Sequence, residues 1–164
     1  MWSDAVGTLD GRSTGPAATV QTQYRVGSIT KTFVAVEVLR MRDEGLVDLN
    51  DALGRHIDDT PFGGQVTIAQ LLSHTSGLQA ETDGQWWERA PGESWHDLMA
   101  SATVPRFTPG VQFHYSHVGY GVLGELIRRL RGVPWPGAGR TGILESGHPH
   151  VWTPATHSTP NPSS

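Results

Sequence analysis

The sequence predicts an α/β (α+β) domain in which two strand-like segments precede a series of helices. Ser3–Asp10 ends in an Asp-Gly turn signal, and Val20–Val26 alternates apolar and polar residues as a half-buried strand does. From Ser28 onward, apolar residues recur at helical spacing. The length of 164 residues is that of one domain of ordinary size.

Four helices are predicted after the two strands. The first is apolar on most of its circumference, which is typical of a buried helix. The next two begin at residues that favour the N-cap position, and the last ends in three arginines followed by a glycine. The predicted helices run from Ser28 to a stop at Gly45, then Thr67–His74, Ser94–Ala102 and Val118–Arg131.

Composition and charge exclude several classes of function. Sixteen acidic and twelve basic residues give a net charge of −4, which offers no basic surface to nucleic acid or anionic lipid. The absence of cysteine excludes disulfides, thiolate zinc sites and a cysteine nucleophile. We expect no membrane span, because no run of about 18 or more apolar residues occurs. We also expect no signal peptide, because the sequence does not start with a basic region followed by an apolar stretch. The sequence does not indicate the cellular compartment.

Ser28-Ile29-Thr30-Lys31 is an S-x-x-K pattern at the start of the predicted buried helix. Ser28 lies at the positive end of that helix, and Lys31 lies one turn further along the same face. This arrangement suits a nucleophile whose backbone N–H meets an oxyanion and whose partner amine has been deprotonated by its surroundings. Taken alone, the four residues favour ordinary roles, with Ser28 as an N-cap and Lys31 as a solvated side chain.

Three ordered motifs resemble those of the serine β-lactamase-like family, which includes class C β-lactamases, D-alanyl-D-alanine carboxypeptidases and related esterases. The motifs are Tyr24–Phe33 around the S-x-x-K pattern, Leu71–Leu78 (LLSHTSGL) and Pro109–Tyr120, followed by Leu123-Gly124. The resemblance covers Trp2 to Trp135. It implies a penicillin-binding-protein-like sandwich with a helical subdomain.

The resemblance also implies roles for individual residues. Ser28 would be the acylated nucleophile, Lys31 its proton partner, and Tyr115 the first residue of the family's Y-x-N motif, which assists proton transfer. His117 occupies the third, substrate-binding position in place of asparagine. The expected substrate is a small molecule or peptide with an amide or ester bond, such as a β-lactam, and no cofactor is expected.

The family's downstream K-T-G-like or H-x-G-like motif, on a strand that supplies a second oxyanion donor, has no clear counterpart. Arg140-Thr141-Gly142 is superficially similar but lies in a Pro/Gly-rich stretch without a strand pattern. We therefore expect residues 1–135 to form the N-terminal part of the hydrolase domain, with its C-terminal strands missing. Residues 136–164, in which Pro, Gly, Ser and Thr make up 17 of 29, are expected to be a disordered tail of non-family sequence.

An alternative is a truncated or pseudoenzyme chain that at most binds acyl compounds or is acylated without turnover. In such a chain the incomplete sheet leaves apolar surface uncovered, and self-association is expected through that surface.

Other residues have ordinary explanations beside functional ones. His74 is interpreted as a hydrogen-bonding group that supports structure rather than as a base. The histidines at 114, 117, 148, 150 and 157 are not expected to bind a metal, because no carboxylate or thiolate lies at a matching spacing. Three tryptophans fit either an acyl pocket or simple packing, namely Trp86, Trp87 and Trp95.

Overall fold

The computed structural model describes residues 2–83, 94–102, 104–139 and 142–143. In these ranges the regular elements are five α-helices and one 3₁₀ turn at Leu53–Arg55. The helices are α1 (Ile29–Asp43), α2 (Ile68–Leu72), α3 (Trp95–Ser101), α4 (His117–Arg131) and α5 (Trp135–Gly139). The four helices predicted from the sequence are confirmed.

Side-chain caps explain where three of these helices begin. Thr67 and Gln70 form a reciprocal capping box at the start of α2, with bonds of 3.3 and 3.0 Å. Ser94 and Ser116 each accept a backbone N–H of the first turn, at α3 and α4 respectively. Gly132 ends α4 with a φ of +73°, a conformation that costs glycine little.

The core lies between α1, α2, α4 and α5. One face of α4 is fully buried, and it packs on the buried face of α1, where Val38 and Met41 lie. Loop residues between α1 and α2 complete the core from one side, with Phe62 as the largest buried side chain. The buried residues of α4 are Val118, Gly119, Val122, Leu123, Leu126 and Ile127.

A buried carboxylate ties α1 to α4. The Glu37 side chain is only 3% exposed and accepts a hydrogen bond of 2.8 Å from Arg131 Nε. Arg131 also binds Glu44, and Arg40 lies 3.3 Å from Glu37. A buried charge needs such partners, since breaking a buried pair is costly. Arg131, one of the three arginines that signalled the end of α4 in the sequence, therefore also ties α4 to α1.

The two predicted N-terminal strands are not present as strands. Residues 2–27 contain one isolated antiparallel bridge, Thr8 to Ala17, and no regular element. Trp2, Val6 and Val20 are 86%, 89% and 57% exposed. Two strands are marginally stable without a further layer against their apolar face, and no such layer lies against them in the described ranges. The α/β sandwich is accordingly not seen in the described part of the chain.

Helix α5 crosses the boundary that the sequence predicted after Trp135. Pro134 accepts backbone bonds from Gly137 and Ala138, and Ala138 is 5% exposed against the core. Pro136 is compatible with the first turn of a helix, where its missing N–H costs nothing. The expectation of disorder is therefore corrected for residues 136–139, and most of the remaining tail lies outside the described residues.

Candidate active site

Ser28 lies at the junction between the irregular N-terminal segment and α1. Gly27 has a φ of +54°, and α1 begins at Ile29. Ser28 makes no side-chain cap bond. Its Oγ instead accepts a hydrogen bond of 2.8 Å from the hydroxyl of Tyr115, a residue 87 positions away. The interpretation of Ser28 as an ordinary N-cap therefore does not describe this hydroxyl.

Lys31 contacts the other three predicted site residues. Its Nζ lies 3.5 Å from Ser28 Oγ, at the limit of a hydrogen bond, and 3.2 Å from His117 Nδ1. The same ammonium lies 4.9 Å from the ring centroid of Tyr115, within the range of a cation–π contact. Folding thus brings together all four residues that the sequence singled out.

Tyr115 is placed to exchange a proton with Ser28. Burial opposes ionisation of its phenol, but the hydrogen bond with Ser28 and the nearby Lys31 outweigh that effect, so the pKa of Tyr115 lies below its ordinary value. A phenol with a lowered pKa gives up its proton more readily and can then accept one from the serine.

His117 begins α4 and is the residue that departs from the Y-x-N motif. Its backbone N–H binds Ala80 at 2.8 Å, and its Nε2 lies 3.3 Å from Glu81 Oε1. Burial and the cationic Lys31 lower the pKa of His117, while Glu81 partly opposes them. Glu81 could not be predicted from the sequence, because a single glutamate in a loop carries no motif or periodicity.

His74 fixes the backbone of the segment that carries Tyr115. It has a φ of +58°, and its Nδ1 accepts the backbone N–H of Ser116 at 3.1 Å. Its carbonyl oxygen accepts the N–H of His114 at 2.7 Å, and its ring lies 4.4 Å from that of Tyr115. Burial, Lys31 and His117 lower the pKa of His74, which favours the neutral ring that can accept a bond. This geometry agrees with the supporting role expected from the sequence.

A cavity of about 270 Å³ opens beside Ser28. Trp135, at the start of α5, forms part of its wall and also contacts the position where Gly124 lacks a side chain. The lining residues are Gly27, Ser28, Thr30, Lys31, Val34, His117, Tyr120, Gly121 and Trp135. A larger cleft of about 530 Å³ lies elsewhere, where Asp51 pairs with Arg55 and His56.

The remaining expectations concern tryptophans, metals and membranes. Trp95 packs on Arg129 and donates to Asp59 at 3.0 Å, so it belongs to a structural contact, while Trp86 and Trp87 lie outside the described residues.

Over the ranges given above, no cluster of three metal-ligating side chains occurs. None of the helices in these ranges is long and apolar enough for a membrane crossing. The histidines at 148, 150 and 157 and most of the Arg140-Thr141-Gly142 run also lie outside them.

The chain matches one family model and is similar to several known proteins. The family model described as Beta-lactamase matches residues 1–161. Protein flp of Staphylococcus aureus is 29% identical over 120 residues, which are 69% of this chain and 24% of flp. The chain thus spans about a quarter of the length of that curated relative.

Two solved structures have a fold similar to that of this chain. A D-stereospecific amidohydrolase from Streptomyces sp. superposes with a TM-score of 0.65 and 30% identity, over 80% of this chain and 45% of that chain. An octameric penicillin-binding protein homologue from Pyrococcus abyssi gives a TM-score of 0.66 and 29% identity, over 79% and 32% of the two chains.

Proposed function

The chain belongs to the Beta-lactamase family, and on that premise we propose that it is a serine hydrolase whose nucleophile is Ser28. The single observation that carries the proposal is the 2.8 Å hydrogen bond between Tyr115 and Ser28, beside the ammonium of Lys31. A nucleophile within hydrogen-bond reach of a proton partner, itself oriented by a third group, is the general arrangement for covalent acyl transfer.

The proposed reaction has two stages. The reaction starts from ionised Tyr115, whose proton has been released to solvent and whose negative charge Lys31 stabilises. Ser28 Oγ then bonds to the carbonyl carbon of an amide or ester while its own proton passes to the Tyr115 oxygen, and the carbonyl oxygen becomes an oxyanion. The proton then goes to the leaving amine or alcohol as the bond to the carbonyl carbon breaks. In the second stage water adds to the acyl carbon, and Ser28 leaves with a proton returned through Tyr115.

The substrate class proposed is a small amide or ester, including β-lactams and peptides ending in D-alanine. The cavity of about 270 Å³ beside Ser28 suits a small acyl group. The similar Streptomyces protein is a D-stereospecific amidohydrolase, which favours an amide with a D-configured centre. His117 is proposed to contact the substrate at the cavity wall.

A second candidate is a chain that is acylated without turnover. It is favoured because the described residues include no strand that would supply a second oxyanion donor, and one such donor is typically worth about 10²–10³ in kcat. The sandwich with its helical subdomain remains part of the proposal for the whole domain, and its N-terminal part is proposed to reach at least residue 139, because α5 continues past residue 135. Self-association is proposed as well, given the exposed apolar side chains of residues 2–27 and the octameric relative.

Intact-mass spectrometry after incubation with a fluorophosphonate or a penicillin tests the proposal. We expect one adduct, located on Ser28 by peptide mapping, and its loss in Ser28→Ala. Ser13→Ala, which removes an exposed hydroxyl from the N-terminal segment, is the matched control and should be labelled as the wild type is. Tyr115→Phe should slow labelling by about 10²-fold or more.

Full labelling of Ser28→Ala would refute the assignment. Repeated turnover of a chromogenic ester would favour the hydrolase, and a stable adduct without turnover would favour the second candidate.

A further inference from the structure

His117 connects the site to a residue that no motif contains. The imidazole lies between two groups of opposite charge, with Nδ1 at 3.2 Å from Lys31 Nζ and Nε2 at 3.3 Å from Glu81 Oε1. Its side chain is 25% exposed, whereas that of Glu81 is 49% exposed. The His117 imidazole, at the first residue of α4, thus links Lys31 to Glu81.

The chemistry of the three groups determines the direction of these bonds. An ammonium has donors and no acceptor, so Nδ1 of His117 accepts from Lys31. The ring hydrogen of the neutral imidazole is then on Nε2, where it faces the carboxylate of Glu81. A carboxylate on one ring nitrogen orients the ring and makes the other nitrogen a better acceptor.

We propose that Glu81 and His117 are positioning residues that hold Lys31 Nζ between Ser28 and Tyr115. The proposal rests on the hydrolase function proposed above, and it assigns the His at the third motif position a role different from substrate contact alone. Protonation of His117 removes the acceptor from Nδ1 and places a second cation beside Lys31. The ammonium is then repelled from its position, and acylation of Ser28 slows as the pH falls.

Within the described residues, charged or titratable side chains face His117 from several parts of the chain, and Tyr120 of α4 lines the same cavity as His117. Lys31 lies on α1, His74 follows α2, and Glu81 and Tyr115 lie on the segments before α4. Lys31 and Glu81 act on the imidazole in opposite senses, since the cation disfavours its protonation and the carboxylate favours it. This opposition makes the contact testable without any substrate.

An NMR titration of the His117 imidazole tests the contact independently of activity. Relative to the wild-type chain, Glu81→Gln should move the midpoint to lower pH and Lys31→Met should move it to higher pH. Asp83→Asn is the matched control, because it removes a 79% exposed carboxylate two residues from Glu81, and it should leave the midpoint in place. Equal effects of Glu81→Gln and Asp83→Asn, or none in Lys31→Met, would overturn the inference.

Single-turnover acylation of Ser28 tests the positioning role. Glu81→Gln should slow acylation roughly 3- to 10-fold in the wild-type background, a coupling typical of directly contacting residues. His117→Asn restores the family's residue, whose amide oxygen accepts from Lys31 without help from Glu81. Glu81→Gln should then change the rate less than about twofold, and the acid limb of the pH profile should move away from the His117 midpoint.

Equal slowing by Glu81→Gln in both backgrounds would show that Glu81 acts through the fold and would overturn the positioning role. Absence of any wild-type adduct on Ser28 would refute the hydrolase function and the positioning role with it, while the NMR titration would still decide the contact.

Discussion

The N-terminal segment, residues 2–27, and the helical part of the molecule both contain regularly spaced apolar residues, yet only the helices bury them. The segment has one isolated bridge and exposed valine, leucine and tryptophan side chains, whereas α4 has six residues below the surface. The helices face one another, and the segment has no second layer against it in the described ranges. Periodic sequence therefore produces packed structure only where a partner element supplies the opposite face.

The largest expected effect comes from a matched pair of truncations in the two regions. Leu126→Ala in α4 leaves a cavity in a fully buried site and should lower the free energy of unfolding by about 2–5 kcal/mol. Val6→Ala in the N-terminal segment should change it by less than about 0.5 kcal/mol, because that side chain is already in water. Urea denaturation followed by far-UV circular dichroism measures both. A decrease of more than about 2 kcal/mol in the free energy of unfolding for Val6→Ala would contradict the expected difference and show that the segment packs in solution.

Two glycines with positive φ, one in each region, test whether the two regions differ in packing around the backbone. Gly7 has a φ of +92° with open space around it, whereas Gly77 has a φ of +76° and a Cβ there would overlap the carbonyl oxygen of Phe107. Gly77→Ala should cost about 2–4 kcal/mol, the sum of backbone strain and forced overlap. Gly7→Ala should cost no more than about 1–2 kcal/mol, from backbone strain alone. Equal losses in the same urea experiment would show that space around Gly77 does not matter.

Acid should act on the packed part through His74, while the N-terminal segment contains no histidine. The pKa of His74 is lowered in the fold, so the unfolded chain takes up a proton first as the pH falls below about 6.5. The contribution of His74 to stability is therefore full above that pH and declines until folded His74 is protonated too. In His74→Asn the amide oxygen can accept the Ser116 N–H, and asparagine tolerates the positive φ.

Between pH 7.5 and 5 we expect His74→Asn to lose less stability than the wild type, because the asparagine takes up no proton in either the folded or the unfolded chain. Ser13→Ala alters an exposed side chain without a titratable group and is the control, which should follow the pH dependence of the wild type. An unchanged slope in His74→Asn would mean that other groups carry the acid sensitivity.

The helices could be predicted from the sequence because their signals are local. Thr67, Ser94 and Gly132 stand at helix ends, where capping chemistry involves residues three or four positions apart. The strand predictions for residues 3–10 and 20–26 were wrong because a strand depends on distant partners. Helix α5 was missed because five residues containing Pro and two Gly show no period.

The candidate site could be predicted only in part, because some of its residues are close in the sequence and others meet only in the folded chain. The pair Ser28 and Lys31 is one helical turn apart, and Tyr115 and His117 came from a motif resemblance. Glu81 contacts His117 only through the fold, and neither its spacing nor its neighbours in the sequence indicate this. The roles of these residues in catalysis stay predictions until acylation is measured.

The contact between Ser28 and Tyr115 closes a loop of 87 residues, and this has a consequence for the order of folding. Closing a flexible loop of that length costs about 4 kcal/mol of chain entropy, which helix formation alone does not offset. Individual helices form in microseconds, whereas the serine gains its phenol partner only when α1 and α4 have docked. During refolding, the rate at which a reagent modifies Ser28 should therefore lag behind the recovery of helical signal and report the moment of docking.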